Sequence, residues 1–508
     1  MKLLTTAVSL ALGADALLPL VTSGNKFYQL QEDYTAGPEE FTLFGVDYQP
    51  GGSSGFSMAS SEDILTNAAA CQRDAYLLSQ LGANSIRIYS VSPWNNHDEC
   101  MSIFNDAGIY VLLDVNTPDS SLHRYNPEDS YTEGYLNNVF GLVDAFKGYS
   151  NLLGFIAGNE IINDDKSAES DPVYIRAVIR DVKEYISKWA NRTIPVGYAA
   201  ADVLEYRTET WQYFECNDEE HDSSDALSRA DFFGINTYSW CSGSSDYDSS
   251  GYEDIKDTFG NSSIPIIFTE YGCNKNSPRT FDEVPDGIYG PLADVVAGAF
   301  VYEYSNEVSN YGLVDLDSDG TASMLDDFDN LKSAFSKVSL SSTTIAQTAL
   351  VTGTQTLKDA PTCDSDDATS SFGWNMTLPD SPATDLLSSG GGNKNVGSLI
   401  ATSDISFNTT YNILDAHSST LTPSYSYDSV FQVNAQSNVP DATSSSSGSS
   451  QSSSKSSKST KSSTKSTTAT SSQSSSKSAK SQSKNGAPGM MALPMGLGGL
   501  AVIILGLI

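Results

Sequence analysis

Apolar and polar residues fall in alternating blocks along the first two thirds of the chain. Eight short runs are mostly apolar: Phe41–Gln49, Ser85–Val91, Tyr110–Asn116, Leu152–Ile161, Ile194–Ala200, Asp231–Trp240, Ile264–Gly272 and Ala297–Ser305. Several show little period-two alternation, as strands buried on both faces should. Between them lie longer segments, such as Asp63–Leu81 and Val173–Trp189, with apolar residues at helical spacing. Strand and helix in turn predict a parallel sheet, and eight such units in about 300 residues predict a (β/α)8 TIM barrel over residues 24–339. An open doubly wound sheet is the alternative. No Gly-x-Gly-x-x-Gly follows the first run, so nothing points to a dinucleotide site.

The pattern changes at both ends. Residues 1–23 carry Lys2, an apolar run and the small residues Val21-Thr22-Ser23, and read as a secretory signal peptide. Residues 340–441 are short, polar and turn-rich, and read as a small accessory extension packed on the barrel. Residues 442–485 are Ser, Thr and Lys with almost nothing apolar; they cannot bury enough surface to fold and read as a disordered stalk. Small residues at Asn485-Gly486-Ala487, then Pro488-Gly489 and an apolar tail to Ile508, form a glycosylphosphatidylinositol (GPI) signal. That reading makes Asn485 the attachment residue, removes 486–508 and leaves the outer leaflet of the plasma membrane as a partner. The competing reading, a C-terminal anchor helix, is disfavoured by the glycines of the tail and by the missing basic flank.

A formal net charge of -35 repels phosphate backbones and excludes nucleic acid as a natural partner. The 6 cysteines of an exported chain (Cys71, Cys100, Cys216, Cys241, Cys273, Cys363) imply disulfides, in any of 15 pairings. Asn191, Asn261, Asn375 and Asn408 each begin an N-glycosylation sequon. The acidic string Asp315–Gly320 imitates a calcium loop, but its twelfth position is Asp326 rather than glutamate. No His/Cys cluster has metal spacing, and no cofactor is called for.

Two of the runs end in glutamate, Gly158-Asn159-Glu160 on the fourth and Thr269-Glu270-Tyr271-Gly272 on the seventh. A barrel places its chemistry at such strand ends, and an ionisable group there is costly unless paired or functional. Glycoside cleavage needs a pair of this kind: one acid for the leaving oxygen and one carboxylate across the sugar ring. Asn159 is placed to bond a sugar 2-hydroxyl, and Tyr238 on the sixth run to orient Glu270.

Asn-Glu after strand four and Glu after strand seven resemble the clan A retaining glycosidases. Fuller strings resemble glycoside hydrolase family 72, the fungal GPI-anchored β-1,3-glucanosyltransferases. They are Gly45-Val46-Asp47-Tyr48-Gln49-Pro50, Arg87-Ile88-Tyr89-Ser90-Val91, Leu113-Asp114-Val115-Asn116, Gly158-Asn159-Glu160-Ile161, Thr269-Glu270-Tyr271-Gly272-Cys273-Asn274 and Tyr311-Gly312-Leu313-Val314. The resemblance covers residues 24–365. It implies transglycosylation of β-1,3-glucan, with Glu270 as nucleophile and Glu160 as acid/base. It also implies a glucan-binding set of Tyr89, Asn159, Asp202, Arg207 and Tyr302, with Gln49, Asp114, Tyr238 and Tyr311 as further cleft residues. The pairings it implies are Cys71–Cys100, Cys216–Cys363 and Cys241–Cys273. Cys363 is the last cysteine, so the cysteine-rich carbohydrate-binding domain of some members is absent. An endo-β-glucanase with the same glutamates is the nearest rival; a glucan-binding protein without activity would be marked by loss of either glutamate.

Overall fold

The computed structural model describes residues 17–30, 39–217, 225–340, 358–363, 371–405 and 411–422. The stalk, the GPI signal with Asn485, the sequon at Asn408 and residues 1–16 of the expected leader lie outside them. Strands β1 (Leu20–Ser23), β2 (Lys26–Gln29) and β3 (Glu39–Phe41) form a small antiparallel sheet. Eight parallel strands then close into a barrel: β4 (Leu43–Asp47), β5 (Ser85–Ile88), β6 (Tyr110–Asp114), β7 (Leu152–Asn159), β8 (Val196–Ala201), β9 (Phe232–Asn236), β10 (Ile266–Tyr271) and β11 (Val296–Val301). Each of the eight predicted runs overlaps one of them; β8 ends one residue past its run and β11 begins one residue before its own. Closure brings β11 against β4, where Gly45 leaves room for the Phe300 ring that a Cβ would strike at 2.2 Å.

The helices follow the predicted alternation with adjusted ends. The expected helix over Asp63–Leu81 begins at Ala68, because Asn67 caps it by accepting from the Ala70 N–H. Asp63 is tied instead into the loop through Leu65 and Ser92 N–H groups. Cys71–Cys100 joins the helices Ala68–Leu81 and Asp98–Asp106. Cys241–Cys273 links the loops after β9 and β10, and Cys216–Cys363 fastens the extension across 147 residues. All three pairings implied by the resemblance are present.

Residues 17–23, assigned above to the signal peptide, are instead part of the fold. Leu17 and Leu20 are buried with Phe27 and Phe41 against Leu43, Tyr110, Leu112, Phe232 and Phe300, sealing the N-terminal end of the barrel. The Tyr110 hydroxyl donates to the Leu18 carbonyl at 2.6 Å, and the Leu17 N–H donates to Asn105 at 2.9 Å. An apolar run that seals a barrel has the same composition as one that enters a membrane, so hydropathy alone set the boundary too late.

The extension lies along the helices as a strap. Arg180 donates to the Pro379 carbonyl, Trp189 to that of Leu387, and Gly397 N–H to that of Ala145. Its strand β14 (Ile413–Leu414) adds to β13 (Ala322–Met324), which pairs with β12 (Val314–Leu316); β15 (Thr420–Leu421) closes that sheet. The string that imitated a calcium loop is the β12–β13 hairpin, turned at Gly320 with φ +83. Among the described residues no helix is long and apolar enough to cross a membrane.

Candidate active site

The C-terminal end of the barrel is organised around one buried cation. Arg87 points inward from β5 with no exposed surface, and its guanidinium donors are all engaged. Nε and Nη2 hold Asp114 at 3.1 and 2.9 Å, and Nη2 also holds Asn159 Oδ1 at 2.9 Å. Nη1 reaches Glu270 Oε1 and the Thr269 carbonyl, each at 3.1 Å. Glu270 receives two further hydrogen bonds, from Tyr89 to Oε1 at 2.9 Å and from Tyr238 to Oε2 at 2.7 Å. Burial pushes both tyrosine hydroxyls well above their usual range, so they act as neutral donors. Three donors around one carboxylate suit a negative charge and hold its plane fixed.

Glu160 stands across the same network. Asn236, at the end of β9, donates to Glu160 Oε1 at 2.8 Å and to Asn159 Oδ1 at 3.0 Å, while its own carbonyl accepts from Thr269 at 2.7 Å. A continuous path therefore runs from Glu160 through Asn236, Asn159 and Arg87 to Glu270. Burial first, and the Glu270 charge second, push the Glu160 carboxyl up to about 7. Its backbone has φ 51, a left-handed conformation uncommon outside glycine, held by Asn163 donating to its carbonyl at 3.1 Å. Two glutamates in such different settings have the split character that an acid/nucleophile pair requires.

Tyr238, Tyr302 and Tyr311 form an edge-to-face cluster with centroids 5.4–6.3 Å apart, an aromatic wall on the side of Glu270 that Tyr238 bonds. Asp202 and Arg207 lie after β8 and pair with each other at 2.5 Å. Gln49 is engaged with the backbone around Tyr89. Its Oε1 accepts from the Tyr89 and Ser90 N–H groups and its Nε2 donates to the Ser90 carbonyl, so it shapes the chain around Tyr89. Asp114 likewise acts through Arg87. Arg87, Asn236 and Asp47 were not singled out from the sequence. A polar residue inside an apolar run is one signal, plain in Ser85-Ile86-Arg87-Ile88, and Asp47 and Arg87 also stand in the strings that carry the family resemblance. Asn191, Asn261 and Asn375 are exposed.

The glucanosyltransferase model of glycoside hydrolase family 72 matches residues 9–339. The chain belongs to this family. It is 45% identical over 435 residues to the probable 1,3-beta-glucanosyltransferase GAS3 of Saccharomyces cerevisiae, covering 83% of this chain and 82% of that one. Against the 1,3-beta-glucanosyltransferase gel2 of Aspergillus fumigatus it is 43% identical over 405 residues, covering 78% and 81%. A glutamine-for-glutamate mutant of Saccharomyces cerevisiae Gas2p, solved with laminaritetraose and laminaripentaose, superposes with a TM-score of 0.62 at 33% identity, covering 73% of this chain and 76% of that one. Family membership and site geometry agree on an enzyme of glycosidase type.

Proposed function

We propose that this family member is a retaining 1,3-beta-glucanosyltransferase that elongates cell-wall glucan. The observation that carries the reading is the single hydrogen-bonded path joining Glu160, with its raised proton affinity, to the triply bonded Glu270. Glu270 attacks the anomeric carbon of an internal glucosyl unit while Glu160 protonates the departing 3-oxygen. The new bond is a glucosyl ester on Glu270. Ester formation removes the charge that helped to raise Glu160, which then accepts the proton of an incoming 3-hydroxyl at another chain's non-reducing end. That oxygen displaces Glu270 and restores a β-1,3 bond. Asn159 holds the sugar 2-hydroxyl with its free amide N–H, and the tyrosine wall stacks the rings. Asp202 and Arg207 bind glucan further along the cleft as one ion pair.

The same proposal places the enzyme at the cell surface, on the outer leaflet through a GPI anchor at Asn485 or in the wall, with N-glycans at Asn191, Asn261, Asn375 and Asn408. The buried packing of Leu17 and Leu20 supports leader cleavage after Ala14-Asp15-Ala16 rather than at Ser23. The test incubates the secreted protein, residues 17–422 so that the strap is kept, with a reduced β-1,3-glucan oligosaccharide and resolves products by length. Products longer than the substrate establish transfer. Only shorter products make the protein a hydrolase, and none at all from folded protein defeats the reading.

A further inference from the structure

Beneath the catalytic pair lies an acid that the mechanism above does not use. Asp47 ends β4 with no exposed surface, and neither of its carboxyl oxygens has a hydrogen-bond partner. The nearest approach of a cation is Arg87 Nη1, 4.0 Å from Oδ1. That guanidinium has nothing left to give. It has five N–H groups, and they are directed to Asp114 twice, to Asn159, to Glu270 and to the Thr269 carbonyl. A hydrogen bond from the neighbouring Tyr89 hydroxyl would favour a charged Asp47, but that hydroxyl has one proton and gives it to Glu270 at 2.9 Å.

The groups facing Asp47 are Arg87 and Tyr89 from β5 and its loop, Asp114 from β6, Glu270 from β10, and Tyr238 and Tyr302 from the loops after β9 and β11. One positive charge thus confronts three carboxyl groups, and Asp47 itself has no surface open to water. A buried carboxylate without donors takes up a proton rather than remain charged. Asp114 has a two-pronged Arg87 contact and Glu270 has three donors; Asp47 alone has none. Resting on the retaining mechanism proposed above, we infer that Asp47 is held as a protonated carboxylic acid and is a positioning residue. Its neutrality leaves the charge of Arg87 to Glu270 and Asp114. Burial raises the proton affinity of both aspartates, that of Asp47 well above its ordinary value.

A charged Asp47 would behave differently. It would draw Arg87 away from the nucleophile and add repulsion to Glu270, moving the acid limb of the kcat/KM profile upward. The test compares the wild-type protein with Asp47→Asn, which matches the acid in shape and is always neutral. At about pH 8, above the ordinary carboxyl range, the wild-type-minus-variant infrared difference is expected to show one protonated-carboxyl C=O stretch. The acid limb of kcat/KM, at whatever level the variant turns over, is expected to stay within about 0.3 pH unit. Absence of that band, or an acid limb displaced downward by about one unit in the variant, overturns the inference. Should the amide fail to fold, Asp47→Ser serves for the same subtraction. The infrared band depends only on where the proton sits, so it stands or falls separately from transfer activity.

Discussion

The two ends of the barrel are made by the same eight strands and are buried alike, yet they are filled by opposite chemistry. At the N-terminal end Leu17, Leu20, Phe27 and Phe41 close over Leu43, Leu112 and Phe300, with hydroxyls such as that of Tyr110 bonded to backbone. Burying each such side chain stabilises the fold by about 1.5–3 kcal/mol. At the C-terminal end Arg87 is ringed by Asp47, Asp114, Glu270 and, through asparagines, Glu160. Assembling those groups out of water is unfavourable unless every donor finds an acceptor. The apolar end supplies the stability against which the charged end is tolerated. Changes at one end should therefore act on folding, and at the other on turnover.

The largest expected effect is at the charged end. Glu270→Gln is expected to lower transfer by on the order of 10⁴-fold or more, with a melting temperature no lower than that of the parent. Glu160→Gln should cost about 10²–10⁴-fold on glucan, and far less on a glucosyl fluoride, whose leaving group needs no proton. Initial rates on both donors check this; equal losses on the two would remove Glu160 from the acid role.

Next comes the apolar end. Phe27→Ala is expected to cost about 3–5 kcal/mol of stability, read from denaturant titration, with kcat per folded molecule unaltered. A fall in kcat at unchanged stability would break the division between the ends.

That division also explains what the sequence could reveal. The barrel was legible because strands covered on both faces, alternating with helices, leave a periodic record in Phe41–Ser305. Glu160 and Glu270 were legible because an ionisable residue closing an apolar run is conspicuous. Arg87, Asn236 and Asp47 were not singled out, since their partners come from strands up to 183 residues away and exist only once the barrel closes. Gln49 was legible as a residue of the site but not as one turned toward backbone. The leader boundary failed for a related reason: whether Leu17 and Leu20 meet lipid or Phe232 is a tertiary fact.

A smaller effect is expected from Tyr238→Phe. It removes one donor from Glu270 Oε2 and leaves the ring packed edge-to-face against Tyr302 and Tyr311. Hydrogen bonds to charged groups contribute about 1.5–3 kcal/mol, so kcat/KM should fall by roughly 10–100-fold while KM stays within a small factor. A rise in KM alone would assign Tyr238 to sugar stacking rather than to the nucleophile.

The smallest effect sharpens the charged end from within. Glu160, pushed up to about 7, must be protonated to act as the acid, so kcat/KM should fall as pH rises through about 7. Asn236 donates to Glu160 Oε1, and that bond favours the ionised form. Removing it with Asn236→Ala leaves burial and the Glu270 charge less opposed, so the proton is held more tightly. The basic limb should then move to higher pH, by about half a unit to one unit. On a glucosyl fluoride the glycosylation step should lose this limb in both proteins, because no acid is needed. A limb that moves to lower pH in the variant would mean that Asn236 acts chiefly by holding Asn159, and that the proton on Glu160 is governed elsewhere in the network.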